Sequence, residues 1–231
     1  MPQGHIENHL SSSSFISDIV IGMSDGLTVP FALAAGVSSA VSNTHIVTTA
    51  GIAELVAGAI SMGLGGYLAG KTELEHYESE YKTEAWEVDN LPEKEKDEVK
   101  EIFLDFGLSP ETSQLATEEL SKDKTKWIDF MMRLELGLDK PDPKRATKSA
   151  ANIGGSYIVG GIIPLLPYFF VDTPIDGLKI SAVVTLICLF IFGFFKSKAT
   201  GQPVLSGALK VMIIGAVAAA AAFGVAKAFG A

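Results

Sequence analysis

Charge is scarce over most of this 231-residue chain, and a basic excess is missing altogether: 18 Lys and Arg face 27 Asp and Glu, a formal net charge of −9. A nucleic-acid footprint is thereby excluded. The one cysteine, Cys188, lies in an apolar run, so no disulfide can form within the chain. The first 15 residues carry no Lys or Arg. The charged start of a cleavable signal peptide is missing, and the first apolar segment is expected to stay as a true span. A di-iron oxidase of the helical-bundle type needs a pair of Glu-x-x-His motifs. The four histidines, His5, His9, His45 and His76, do not supply that pair, so the chain does not read as an enzyme.

What charge there is sits in one place. Residues 71–148 hold 13 of the 18 basic and 21 of the 27 acidic side chains, so 13 against 21 leaves −8 of the −9 there. Segregation on this scale means two solvents, lipid for one part of the chain and water for the other. About 20 predominantly apolar residues make a transmembrane helix. Five stretches qualify, at 16–40, 46–70, 149–171, 178–196 and 206–229. The expected fold is an all-α membrane protein of five transmembrane helices, with a cytosolic helical domain inserted between the second and third. Its parts are a tail with the first two spans (1–70), the inserted domain (71–148) and the last three spans (149–231). Orientation follows the basic residues that flank the spans. Lys71, Arg145, Lys148, Lys196 and Lys198 lie on one side, and the opposite loops, 41–45 and 172–177, have none. The N-terminus and the insert are placed in the cytosol.

The insert reads as helices. Thr72 to Val88 continues the second span without a break signal, and Leu91-Pro92 ends it. A helix restarts from Pro92 to Phe106, with Val99, Ile102, Phe103 and Phe106 as its apolar stripe. Ser109-Pro110-Glu111 has the cap-then-proline form of a helix start, giving a short helix to Leu120. The last runs from Asp123 to Gly137, with Trp127, Ile128, Met131, Leu134 and Leu138 at helical spacing. Within the spans, Ala57, Ser61 and Gly65 recur every four residues, and Gly154, Gly155, Gly160 and Gly161 fill the third. Small residues let helix backbones approach closely in lipid.

Two carboxylates fall inside spans, Asp25 in the first and Glu54 in the second. An acid at the bilayer centre costs about 2.5–3.5 kcal/mol on insertion scales, so it is expected to face a polar interior and to mark an ion or proton path. Met62 follows Glu54 by two helical turns, about 12 Å along nearly the same face. Its thioether is a soft donor beside hard carboxylate oxygens. In the insert, Glu84 and Glu87 are three apart on one helix, Glu95 and Glu98 on the next, and Met131, Met132 and Glu135 cluster on the last. Spacing of three brings side chains onto one face. Spacing alone does not separate ligands from a solvated acidic surface.

The run Ser24-Asp25-Gly26-Leu27-Thr28-Val29-Pro30-Phe31-Ala32-Leu33-Ala34-Ala35-Gly36 resembles the first span of the vacuolar iron transporter family. Residues 60–68, Ile-Ser-Met-Gly-Leu-Gly-Gly-Tyr-Leu, resemble its second span. Trp127 to Pro143, with Phe130-Met131-Met132-Arg133 and Glu135-Leu136-Gly137-Leu138, resembles the end of its cytosolic metal-binding domain. The resemblance runs in order along nearly the whole chain. It implies a homodimer that moves Fe²⁺ out of the cytosol in exchange for protons, along a pathway between two subunits lined by their first spans. By position, Asp25, Glu54 and Met62 match the family's ion-translocation residues. Glu84, Glu87, Glu95, Glu98, Met131, Met132 and Glu135 match its metal-binding set. The membrane is that of a vacuole in a eukaryote and the plasma or inner membrane in a bacterium. Two other readings stay open: an exporter of manganese or of divalent cations broadly, and a membrane-anchored metal sensor or storage protein that does not transport.

Overall fold

A computed structural model describes residues 13–229. The N-terminal tail, with His5 and His9, lies outside the described residues. The described residues form eight α-helices joined by turns, with no strand among them. They are α1 (Ser13–Ala40), α2 (Thr44–Asn90), α3 (Pro92–Asp105), α4 (Pro110–Leu120), α5 (Lys124–Leu134), α6 (Arg145–Leu165), α7 (Pro174–Ala199) and α8 (Val204–Phe229), with a 3₁₀ turn at Leu166–Phe169. Five of them, α1, α2, α6, α7 and α8, are long and apolar enough to cross a membrane, as the hydropathy pattern predicts. The chain divides into two compact units. One comprises the described parts of Met1–Tyr67 and Thr147–Ala231, and the other is Leu68–Ala146.

In the first unit, helices meet backbone to backbone. Gly22 and Gly26 stand one turn apart on α1, and α6 presses directly on both. A methyl group on Gly22 would overlap the Ile153 carbonyl and the Ser156 hydroxyl, and one on Gly26 would overlap the Tyr157 backbone. This is the close approach that paired small residues allow in lipid, where dispersion replaces the hydrophobic effect as the force between helices. On α2 the packed face differs from the one its small-residue spacing suggests. Ala57, Ser61 and Gly65 are exposed, and nothing lies within 4 Å of Gly65. Leu55, Ala59, Gly63 and Gly66 turn inward instead, and a methyl on Gly63 would come 3.1 Å from the Ala150 carbonyl of α6. Helices α7 and α8 pack on each other and on α1. Outward-facing Ile60, Val183, Ile187, Ile214 and Val217 are each more than half exposed, an apolar surface suited to lipid.

The second unit holds the last part of α2 with α3, α4 and α5 around its own core of Tyr77, Val88, Val99, Trp127, Ile128, Met131 and Met132. Its helix starts follow the local chemistry. Pro92 opens α3, the Ser109 hydroxyl accepts from Thr112 N–H at the start of α4, and the Asp123 carboxylate accepts from Lys126 N–H at the start of α5. Two details depart from the periodicity. Phe106 is 63% exposed, and the residues of α3 that become buried are Val99 and a carboxylate, Glu95. Helix α5 stops at Leu134 rather than at Gly137, because its last turn widens: Leu136 N–H reaches back to the Met131 carbonyl (3.2 Å) and Leu138 N–H to that of Met132 (2.7 Å). Gly137, at φ +65°, takes the left-handed conformation that this turn requires.

Candidate functional site

Three helices of the second unit each bring one carboxylate to a single point. Glu84 comes from α2, Glu95 from the first turns of α3, and Glu135 from the residue that caps α5. One oxygen of each lies within 4.8 Å of the other two. Glu84 and Glu95 are 3% and 1% exposed, while Glu135 opens toward solvent. Glu84 Oε2 and both oxygens of Glu95 are buried and accept no hydrogen bond. A buried carboxylate without a donor is among the most costly groups a fold can hold, unless it takes up a proton or a cation.

The electrostatics follow from this crowding. Burial first, then the repulsion of Glu135, Glu95, Glu87 and Glu98, pushes the Glu84 carboxyl up to about 7. Burial, then Glu98 and Glu87, carries Glu95 to about 7 against the opposing pull of Lys94. Glu135 is raised for the same reasons, burial leading. Glu87 and Glu98 therefore belong to the field of the trio, although neither completes it. Lys94 pairs with Glu98 at 2.8 Å and comes within 3.8 Å of Glu95. Met131 and Met132 are fully buried in the core. Their carbonyls receive the N–H groups of Glu135, Leu136 and Leu138, which fixes the turn that presents Glu135. A hard, oxygen-rich corner with few donors of its own is one that could hold a divalent cation.

The membrane residues converge on a side chain that the sequence reading passes over, Tyr157 of α6. Its hydroxyl donates to Glu54 Oε1, and its backbone lies against Gly26, next to Asp25. Its ring edge fills the space where Gly58 would carry a methyl. Met62 packs on the cluster that contains Tyr157, Leu55 and Ala59. Glu54, Gly58 and Met62, spaced by four, thus form one face of α2 turned to Tyr157. Asp25 and Glu54 are half-buried, and Glu54 Oε2 is buried without a hydrogen bond. A second unforeseen residue, the acid Asp18, is 3% exposed and receives the Ser149 hydroxyl at 3.0 Å and the Asn152 amide at 3.5 Å. Signals for both were available. Tyr157 is a hydroxyl-bearing aromatic in a glycine-rich span, and Asp18 precedes Asp25 by seven residues, two turns up the same face.

A family model described as the VIT family matches residues 16–227. "Vacuolar iron transporter 1" of Arabidopsis thaliana is 52% identical over 223 residues, which cover 96% of this chain and 89% of that protein. A protein of the same name from Oryza sativa subsp. japonica is 50% identical, over 97% of this chain and 89% of its own length. "Protein CCC1" of Saccharomyces cerevisiae is 42% identical, over 90% of this chain and 67% of its own length.

Proposed function

The chain belongs to the VIT family, and from that premise we propose that it is an iron transporter, not an enzyme, that carries Fe²⁺ out of the cytosol across a vacuolar membrane in exchange for protons. The observation that carries this reading is the convergence of Glu84, Glu95 and Glu135, the first two with buried oxygens that accept no hydrogen bond. In this reading the 71–148 insert faces the cytosol as a metal-binding domain. Glu84, Glu87, Glu95, Glu98 and Glu135, with Met131 and Met132, gather the ion there.

Asp25, Glu54 and Met62 then pass it through the membrane. Five spans are few for a pore within one subunit, and a two-fold homodimer doubles every ligand, so Asp25 and Met62 of two subunits together supply oxygen and sulfur. Proton exchange follows from the chemistry of carboxylates that must lose a proton to take a metal. Manganese and other divalent ions are the competing cargo, since carboxylate oxygen accepts them as well.

The test is flux in proteoliposomes that enclose an iron indicator and a pH dye. Asp25→Asn keeps the shape of the side chain and removes the charge that attracts a cation. It is expected to abolish iron-dependent signals from both dyes while the protein still elutes as the wild type does. Wild-type flux in that variant overturns the pathway, and iron entry without a pH change overturns the exchange.

A further inference from the structure

One cation already stands at the carboxylate cluster. Lys94 occupies the third position of α3, one residue before buried Glu95 and one turn before Glu98. Its ammonium lies 2.8 Å from Glu98 Oε1 and 3.8 Å from Glu95 Oε1, while its side chain remains 59% exposed. It also acts on Glu135, where its charge opposes the repulsion of the other acids. The neighbouring Lys96 makes a different choice. It pairs with Glu93 at 2.8 Å, a residue 85% exposed and outside the cluster. Two lysines two positions apart on one helix therefore have separate partners, and only Lys94 faces the trio.

We propose that Lys94 is a tethered competitor for the transported cation, holding the outer edge of the cluster until a divalent ion displaces its ammonium. The proposal rests on the reading of Glu84, Glu95 and Glu135 as a metal site. A doubly charged ion drawn to Glu95 and Glu98 repels an ammonium at this distance and takes its partners. Because Lys94 is largely exposed, its charge moves into water at little cost, and its stem keeps it near enough to return. The effect of such a group is to weaken binding and to speed release, which suits a site that must hand its ion onward. A purely structural lysine, holding the first turns of α3 in place, has the opposite consequence. Its loss loosens the cluster and weakens binding.

Two measurements on the full-length protein in detergent, under anaerobic conditions at about 0.15 M salt, separate these outcomes. In the first, Fe²⁺ is titrated calorimetrically into the wild type, Lys94→Met and Lys94→Arg. The variant without charge is expected to bind about three- to tenfold more tightly, and the one that keeps charge to bind as the wild type does. In the second, amine-reactive labelling of the wild type is read by mass spectrometry with and without Fe²⁺. Labelling of Lys94 is expected to rise when the ion binds, with Lys96 unchanged as the internal reference. Unchanged or weaker binding by Lys94→Met, or equal labelling of Lys94 in the two states, overturns the proposal. Glu84→Gln with Glu95→Gln is titrated alongside. If that double variant keeps wild-type binding, the metal site itself falls and the proposal falls with it. If it loses binding while Lys94→Met does not tighten, the competitor alone is refuted.

Discussion

Lowering the pH from 8 to 6 is expected to strip metal from the insert, and the carboxylate cluster fixes how steeply. Glu84 and Glu95 both sit at about 7 in the metal-free protein. Treated as two separate sites, both are ionised together in about four-fifths of molecules at pH 8, roughly a quarter at pH 7 and on the order of 1% at pH 6. A cation that needs both oxygens bare therefore binds roughly threefold more weakly at pH 7 than at pH 8, and roughly thirtyfold more weakly again at pH 6. The assay is anaerobic calorimetry of Fe²⁺ binding at the three pH values, repeated in two buffers of different ionisation enthalpy so that proton release is counted. About one proton is expected to leave at pH 7 and close to two at pH 6. The stability of the metal-free protein carries the same information with a definite sign. These carboxyls hold more protons folded than unfolded between their ordinary 4.5 and about 7, so their contribution to stability is full below that window and falls as the pH rises through it. Chelated protein is thus expected to melt at a lower temperature at pH 8 than at pH 6, and metal to restore the difference. Affinity that stays flat from pH 8 to 6, with no proton released, refutes the reasoning.

Tyr157→Phe removes the hydroxyl that binds Glu54 and leaves a second buried oxygen without a donor. Flux is expected to fall roughly five- to 150-fold, on the order of 1–3 kcal/mol, in protein that still folds, and unchanged flux removes Tyr157 from the pathway. Gly26→Ala drives a methyl into the Tyr157 backbone, whereas Gly155→Ala on α6 meets nothing within 4 Å. The first is expected to cost about 1–3 kcal/mol and to lower the melting temperature in detergent, while the second leaves it unchanged. A cysteine at Asn43 is expected to label only from the lumenal side and one at Ser121 only from the cytosol. The reverse pattern turns the insert into an exit domain.

The spans were legible because hydropathy acts on each helix singly: a run such as Val183 to Ile191 declares its solvent whatever its neighbours do. Faces were harder to read. Ala57, Ser61 and Gly65 have the spacing of a packing stripe, yet α6 meets the opposite side of α2, through Ala59, Gly63 and Gly66. Small residues stand on both sides of that helix, and only a partner chooses between them. The carboxylate trio was half visible. Spacing within α2 and α3 put Glu84 with Glu87 and Glu95 with Glu98, but their meeting with Glu135 depends on where α5 ends. That end depends on a turn that widens around the carbonyls of Met131 and Met132. Tyr157 shows in the sequence as a hydroxyl-bearing ring in a glycine-rich span, but the partner of that hydroxyl does not. It matters only through Glu54, 103 positions earlier in the chain.

The contacts of α1 also set a schedule for biosynthesis. Its acid Asp18 is satisfied by Ser149, 131 positions later, and the glycines beside Asp25 are covered by α6. At about 5–20 residues per second, a ribosome takes roughly 7–26 s to reach that partner after making Asp18. Through that interval the first span carries two aspartates into the bilayer without α6 against them, a burden of several kcal/mol against insertion. Nascent chains stopped within the insert are therefore expected to hold α1 loosely and to be extracted by alkali, whereas chains long enough to expose α6 resist it. Capture of the first helix by the third span is, in this protein, a late event that secures the earliest one.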